Sequence, residues 1–366
     1  MNNEKIKKFE NKFLPKITII LFYFFLILFF LYLSSFYNFF FKPSKVINVF
    51  TFTDMIPRSV VSEFEKKTGI SVRLKYFDNN EELIAKLKLD KGSGYDLITS
   101  SDYAIELLRK ENLLKKIDKS KIINIQDIDS RFLNLYFDPE NNYSLPIAWS
   151  VEGIVFKKNL FKNYQNFINW DFIFKDPIFD YKICMLDTPR EVFYLAANYL
   201  FNRSYDLSKE QLGFIKEILI KQKKWVEIYM SGSLQYYLLA DIVPMAVSSS
   251  AFAKKLLEIS DDFDFILPKQ GSFFIVDNIA IPVHTNKSDL VYQFINFLTT
   301  AQNSTLNFVE HGYNPVNKKA YSLINKKFIE NNNFFPIGEN FKRLYLIDNK
   351  IDIKTIEDLW LSVKLA

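Results

Sequence analysis

The stretch VINVFTFTDMIPRSVVSEFEKKTGISV at residues 46–72 decides the fold. It predicts an apolar strand, a polar break, a helix with one apolar stripe, and a second strand. Pro57 suits the first turn of that helix, and Gly69 suits its end. The stretch is therefore a βαβ unit. In open α/β sheets ligands bind beyond the carboxyl ends of the strands, which is where Thr53 and Asp54 lie.

Composition and motifs together limit the possible functions, and we expect a protein that is not an enzyme. A chain of 366 residues can hold two domains, and its 47 basic and 42 acidic residues are interspersed, which excludes a nucleic-acid partner. No G-x-S-x-G, H-E-x-x-H, C-x-x-C or P-loop motif occurs, and His284 and His311 lack metal-ligand spacing. We expect no metal and no cofactor. The single cysteine, Cys184, predicts a buried apolar residue and no internal disulfide.

The amino-terminal region predicts a membrane helix. Residues 17–41 contain no charge and are long enough to cross a bilayer, which takes about 20 apolar residues. Lysines precede this segment, so the amino terminus should stay cytoplasmic and the rest should lie outside. A cleaved signal peptide is the alternative, but Leu33 beside Ser34 and Ser35 departs from the A-x-A pattern. We expect an anchored protein at the periplasmic face of the cytoplasmic membrane, or a periplasmic one if the segment is cleaved.

Alternating strand and helix patterns continue after residue 46 and predict a parallel sheet. A second set of elements contains a helix near residues 190–200 and another opened by Ser208 and Gln211, a capping box. The turn-rich stretch before residues 147–154 is a candidate hinge. The carboxyl end predicts a helix that packs on the rest of the chain.

Eight short segments follow one another along residues 46–317: VFTFTDMIP at 49–57, EFEKKTGISV at 63–72, GYDLITSSDY at 94–103, LLKKIDKSKI at 113–122, FDPENNYSLPIAW at 137–149, REVF at 190–193, DNIAIP at 277–282 and GYNP at 312–315. With these segments, which occur in family order, the chain resembles the spermidine/putrescine-binding proteins of polyamine ABC transporters. Each segment alone is short, whereas the ordered set is specific.

The resemblance implies an α/β fold of two doubly wound lobes joined by crossover strands, like periplasmic binding proteins of type II. Lobe one would comprise residues 46–149 and 277–321, and lobe two residues 150–276 and 322–366. The implied function is the extracytoplasmic solute-binding component of an ABC importer, which holds putrescine or spermidine in the cleft between the lobes. The expected partners are the polyamine and the ABC permease subunits, and we expect a monomer.

A polyamine is a chain of ammonium groups separated by methylenes, so its site needs carboxylates at intervals and aromatic faces between them. The resemblance implies such a site, in which carboxylates come from both lobes and hydroxyls lie at the rim. The implied polyamine-binding residues are Phe52, Thr53, Asp54, Ser101, Tyr103, Glu191, Asp277 and Tyr313.

Structural roles compete with these assignments. Asp54 and Glu191 have the pattern of helix caps, and Phe52 and Tyr313 that of core residues. Asp277 is harder to explain structurally, because it interrupts an apolar strand in which an unpaired carboxylate would be costly.

The chain departs from the family at positions that would line the ligand, and these departures keep other functions open. Tryptophan is expected at Phe52, Val247 and Ile275, and an acidic residue at Thr188, for which the adjacent Asp187 is a substitute. Another cationic amine is one alternative ligand, and a tethered sensor or interaction protein with the same fold is an alternative function. A metal or anion binder is a third, for which Tyr236 and Tyr237 offer a pair of ligands.

Overall fold

The computed structural model describes residues 19, 21–32, 45–162, 168–177, 180–202, 207–230, 234–348 and 350–366. The strands are β1 Val46–Phe52, β2 Ser71–Phe77, β3 Leu97–Ser101, β4 Ser144–Lys157, β5 Ile183–Met185, β6 Val226–Tyr229, β7 Met245–Ser249, β8 Phe263–Ile266, β9 Ser272–Ala280, β10 Asn314–Pro315 and β11 Leu344–Tyr345.

The α-helices are α1 Arg58–Thr68, α2 Asn80–Leu89, α3 Asp102–Lys110, α4 Asp171–Phe174, α5 Pro189–Phe201, α6 Lys209–Gln222, α7 Leu234–Leu239, α8 Ser250–Ile259, α9 Ser288–Leu298, α10 Ala301–His311, α11 Lys326–Ile329, α12 Glu339–Lys342 and α13 Ile353–Leu365. Short 3-10 helices lie at Lys119–Lys121, Ile125–Asp127, Ser130–Phe132, Lys223–Trp225 and Lys318–Leu323.

The first three elements form the predicted βαβ unit. Strands β1 and β2 pair in parallel from Val46↔Ser71 to Phe52↔Phe77. Helix α1 buries Val60, Val61 and Phe64 against the sheet and ends at Gly69, whose φ of 68° is left-handed. The predicted end of this helix is therefore confirmed, because a residue without a Cβ adopts that backbone conformation at no steric cost.

Strands β4 and β9 connect the two halves of one continuous sheet, whose strand order is β2-β1-β3-β9-β4-β7-β5-β6. Strand β9 runs antiparallel between β3 and β4. Strand β4 pairs with β9 from Ser144 to Val151, and beyond that point it pairs with β7 and β8. The predicted crossover strands are therefore present, while the exact lobe boundaries stay a prediction.

Two clusters of buried apolar residues pack on the sheet. The first core contains Phe50, Phe64 and Trp149 and continues into the second half at Phe265, whereas the second core contains Trp170 and Phe193. The Ser208–Gln211 capping box that opens α6 is confirmed, and so is the carboxyl-terminal packing helix, α13, which buries Ile356 and Val363 and contacts α5 and α6. Cys184 is fully buried, as predicted.

The amino-terminal segment falls partly outside the described residues. Residues 21–32 are helical and carry exposed apolar side chains, among them Phe22 and Phe30. The flanking parts of the predicted span at 17–41 are, apart from residue 19, not among the described residues. In the part of the chain that the structure describes, no helix has the length and apolarity needed to cross a membrane. The anchor therefore stays a prediction.

Candidate functional site

A cavity of about 650 Å³ opens where the carboxyl ends of the parallel strands from both halves face each other. Every predicted site residue except Asp54 lines it. The lining residues are Phe52, Thr53, Met55, Phe77, Asp78, Asn79, Asn80, Glu81, Ser101, Tyr103, Ser150, Glu152, Leu186, Asp187, Thr188, Pro189, Glu191, Leu234, Ser248, Ser249, Phe252, Ile275, Asp277 and Tyr313. Its position is the one that the βαβ pattern predicts for an open α/β sheet.

Asp277 lies at the centre of the sheet, on β9. Its backbone is opposite Ser101 of β3 on one side and Ala148 of β4 on the other, and the residue is only 5% exposed. Burial, together with the nearby Asp102 and Glu191, raises the pKa of the Asp277 carboxyl to about 8. At neutral pH the empty cavity therefore holds this carboxyl mainly in its protonated form.

Glu191 approaches the cavity from the second half of the molecule. It lies in the first turn of α5, three residues after the N-cap Thr188, to which its side chain is hydrogen-bonded. Burial raises the pKa of Glu191 to about 7, although Arg190 and the Thr188 hydrogen bond oppose this shift. A carboxyl group from each half thus reaches the same cavity, and each disfavours ionisation of the other.

The aromatic lining residues differ in how much of their ring surface a ligand could contact. The Tyr103 hydroxyl donates a hydrogen bond to Glu81. The Arg190 guanidinium lies 4.5 Å from the centre of the Tyr103 ring and covers one face of it. Phe52 packs against Phe77 with ring centres 4.3 Å apart and is partly exposed to the cavity. Tyr313 is partly exposed as well, and Phe52 and Tyr313 therefore serve both the core and the site.

The polar rim is held by hydrogen bonds within the first half. Asn80 donates a 2.8 Å hydrogen bond to the Ser101 hydroxyl, and both residues line the cavity. Thr53, in the turn after β1, is exposed at the rim.

Asp54 lies outside the cavity lining. Its backbone is left-handed, with φ of 63°, and its carboxylate is 3.3 Å from the Lys255 ammonium of α8. The side chain is 53% exposed, so this ion pair is a surface contact. The left-handed turn directs the carboxylate away from the site that the sequence pattern assigns to it, and its role in binding stays a prediction.

Glu152 is a lining residue that the sequence reasoning missed. It lies on β4, is 4% exposed, and its Oε2 atom has no hydrogen-bond partner in the described part of the chain. Burial raises the pKa of Glu152 well above its usual value, and Glu191 adds to this shift. The sequence does contain a signal for Glu152, because this residue interrupts an apolar strand in the same way as Asp277 does.

A family model described as the bacterial extracellular solute-binding protein matches residues 59–336. The chain belongs to this solute-binding protein family. It is 29% identical to the spermidine/putrescine-binding periplasmic protein 1 of Haemophilus influenzae, over 87% of this chain and 89% of that protein. It is 26% identical to the putrescine/cadaverine-binding protein of Pseudomonas aeruginosa, over 87% and 93% respectively.

Solved structures of solute-binding proteins superpose on the whole domain. A putative spermidine/putrescine ABC transporter protein from Listeria monocytogenes has a TM-score of 0.80 and 32% identity, over 88% of this chain and 99% of that one. The spermidine/putrescine substrate-binding protein from Streptococcus pneumoniae has a TM-score of 0.77 and 30% identity, over the same shares. The two-lobed α/β fold of periplasmic binding proteins is therefore confirmed.

In this solute-binding protein the departures from the family affect the cavity unequally. Ile275, Thr188 and Asp187 line it, so the smaller side chain at 275 and the acidic residue at 187 both change its surface. Val247 is fully buried in the second core and does not line it. Tyr236 and Tyr237, the pair considered for a metal, are not lining residues either.

Proposed function

We propose that this chain binds a polyamine in the cavity between its two halves and delivers it to the membrane subunits of an ABC importer. The observation that carries the proposal is the pair of acidic side chains, Asp277 and Glu191, that enter one cavity from opposite halves. A ligand with several ammonium groups can contact both, whereas an anionic or neutral solute leaves both carboxyl groups without a charge partner.

The electrostatics of the empty cavity favour a cationic ligand. Because burial raises the pKa of Asp277 to about 8 and of Glu191 to about 7, the free cavity stabilises protons at the positions where ammonium groups would lie. A polyammonium ion would replace these protons, and each charge-assisted hydrogen bond to it would contribute about 1.5–3 kcal/mol. Three such bonds would contribute about 4.5–9 kcal/mol, a range that includes the roughly 8 kcal/mol of micromolar affinity.

Aromatic side chains supply the apolar part of the site. Phe52 and Tyr313 line the cavity beside the acidic residues, and contacts of this kind with an ammonium group contribute about 0.5–2 kcal/mol each. The names of the relatives agree with this chemistry, since they specify spermidine, putrescine and cadaverine. Another cationic amine is the second candidate, because Ile275 leaves more room than the tryptophan expected at that position.

The proposal includes the two lobes with the predicted boundaries and the membrane anchor at residues 17–41. Charge-free residues with lysines before them support an uncleaved helix, with the binding domain outside the membrane. Membrane fractionation tests the anchor. A mature protein that begins near residue 36 and is washed off by salt would contradict it.

A thermal-shift screen of the purified full chain in mild detergent tests the ligand class. A ligand at 100 times its Kd stabilises the folded state by about 2.7 kcal/mol, so a bound amine should raise the melting temperature measurably. The screen should include putrescine, spermidine, cadaverine, neutral amino acids and sulfate. Stabilisation by amino acids or sulfate with none by any amine would contradict the proposal.

A further inference from the structure

Glu152 is a buried acid with one unpartnered carboxyl oxygen in the described part of the chain. It is 4% exposed, and its Oε2 atom has no hydrogen bond in the described part of the chain. Burying a carboxyl group without a partner costs free energy, so a position of this kind calls for a compensating interaction. The cavity that Glu152 lines is where such a partner would bind.

The strand geometry fixes the direction of the Glu152 side chain. Side chains alternate along a strand, and the next residue, Gly153, faces the opposite side, where a Cβ would lie 2.6 Å from the Phe265 ring and from the Ile266 carbonyl oxygen. Ser150, which shares a face with Glu152 and pairs with Ile275, lines the cavity too. Glu152 is therefore held toward the cavity by tight packing behind it.

The spacing along the strands sets the distance between the acidic residues. Asp277 is opposite Ala148 on β4, and Glu152 lies four residues farther along the same strand, about 13 Å at the usual rise of a β-strand. Glu191 raises the pKa of both Asp277 and Glu152, which places its carboxyl group within electrostatic reach of each. The three acids therefore line one cavity, and Asp277 and Glu152 mark the two ends of a row that follows the strand direction.

This row has the length of a linear triamine. A staggered alkyl chain advances roughly 1.25 Å per bond, so the terminal nitrogens of a diamine with five bonds between them are about 6 Å apart, and those of a triamine with nine bonds are about 11 Å apart. A diamine can contact only two neighbouring acids at a time. A triamine can reach from Asp277 to Glu152 once the side chains adjust.

Building on the polyamine function proposed above, we propose that Glu152 binds the third ammonium group of a linear triamine and makes the site prefer a triamine to a diamine. On binding, the Glu152 carboxyl releases its proton to solvent and forms an ion pair with the ammonium group. No bond within the ligand changes.

Titration calorimetry of the full chain in mild detergent with spermidine and putrescine tests this inference. The Glu152→Gln variant should bind spermidine about 10- to 100-fold more weakly, while its putrescine affinity should stay within about threefold of wild type. Glu227→Gln is the matched control, because Glu227 is an exposed strand residue outside the cavity lining. It should change neither affinity.

Proton release gives a second readout, which a purely structural role would not alter. Titrations in two buffers of different ionisation enthalpy should show that spermidine binding releases up to about one proton more from wild type than from Glu152→Gln. Putrescine binding should release equal numbers of protons from both. If Glu152→Gln does not fold, Glu152→Asp replaces it, since the shorter acid should weaken spermidine binding selectively and still release the proton.

The possible results separate this inference from the function on which it rests. If wild type binds both amines and Glu152→Gln weakens both equally or neither, the role of Glu152 is overturned and the polyamine function stands. If wild type binds neither amine, both are overturned.

Discussion

The Arg190 guanidinium lies 4.5 Å from the centre of the Tyr103 ring, so the start of α5 contacts the start of α3 across the cleft. Arg190 is 7% exposed and donates a 2.6 Å hydrogen bond to the Ile347 carbonyl oxygen. Its charge opposes the upward pKa shifts of Asp102 and Glu191. One buried cation therefore links the two halves and limits the cost of placing so many acids together.

We expect Arg190→Gln to lower both stability and ligand affinity. The variant loses a charged hydrogen bond and a ring contact, which together predict a loss of about 2–4 kcal/mol in the free energy of unfolding. Denaturant unfolding of the free protein measures this loss. Lys221→Gln removes an ion pair with Asp176 in which both side chains are more than half exposed, and it should cost under about 1 kcal/mol. Equal losses in the two variants would show that Arg190 is not a structural link.

The free protein should lose stability as pH rises from about 6.5 to about 8.5, while its affinity for a polyamine increases. In the folded state the pKa is about 8 for Asp277 and about 7 for Glu191, whereas unfolded acids have a pKa near 4. The folded state therefore retains protons that the unfolded state has lost. This advantage falls from a pH near 4 until the folded pKa values are passed, and between pH 6.5 and 8.5 the fall is about 2–3 kcal/mol.

This pH range lies above the pKa of His311, which burial lowers, so His311 does not contribute to the loss of stability. Thermal unfolding and calorimetry over the same pH series measure the two opposite slopes. If neither the stability nor the affinity changes over this pH series, the buried acids are ionised in the free protein.

Asp277→Asn should reduce polyamine affinity by roughly 10- to 150-fold, equivalent to about 1.5–3 kcal/mol, and leave the free protein at least as stable. The reason is that Asn resembles the protonated carboxyl that the empty cavity favours but cannot form the ion pair. Calorimetry of ligand binding and a melting curve of the free protein together decide whether Asp277 binds the ligand or stabilises the fold. Unchanged affinity with a large stability loss would make Asp277 structural.

Asp54→Asn is the matched control for Asp277→Asn. Asp54 pairs with Lys255 at the surface and lies outside the cavity lining, so we expect an affinity change of less than about threefold. Asn tolerates the left-handed backbone at this position, and the fold should not be strained. A loss as large as that of Asp277→Asn would show that Asp54 reaches the ligand in the bound state, as the sequence pattern predicts.

Gly312→Ala should be much more harmful than Gly69→Ala, although both glycines end a helix in a left-handed conformation. A Cβ at Gly312 would lie 2.2 Å from the Ala251 carbonyl oxygen of α8, whereas a Cβ at Gly69 would have no neighbour within 4 Å. Gly69→Ala should cost only the backbone strain, about 1–2 kcal/mol.

Gly312→Ala must in addition push α10 away from α8 and displace Tyr313, so it should cost more stability than Gly69→Ala and also weaken ligand binding. Denaturant unfolding and calorimetry of both variants measure these effects. If the two variants lose equal stability and Gly312→Ala binds normally, the contact between α10 and α8 does not hold the site in place.

Sequence patterns predict those features that depend on residues close together in the chain. The apolar stripe of α1, its end at Gly69 and the capping box at Ser208 depend on residues close in sequence, and each is present as predicted. Asp277 was identifiable because a carboxylate in an apolar strand conflicts with the hydrophobic pattern around it. The same argument applies to Glu152, which was overlooked.

Contacts between distant segments could not be derived from such patterns. The direction of Asp54 depends on a left-handed turn that aspartate adopts only in some contexts. The position of Arg190 over Tyr103 depends on how two helices from different halves approach, and no spacing in the sequence specifies that approach. The resemblance to a family indicates the cavity and its acids Asp277 and Glu191, while Glu152 and the contact of Arg190 are apparent only from the structure.

The placement of the acids on β4, β9 and α5 should affect the rates of ligand association and release. Asp277 lies on β9, whereas Glu152, on the part of β4 that pairs with β7, and Glu191, on α5, lie in the second half. Opening of the cleft should therefore move Glu152 and Glu191 together relative to Asp277. Capture of the amine by the acids of one half would set the association rate, and the dwell time of the amine would depend on how long the other half stays closed over it.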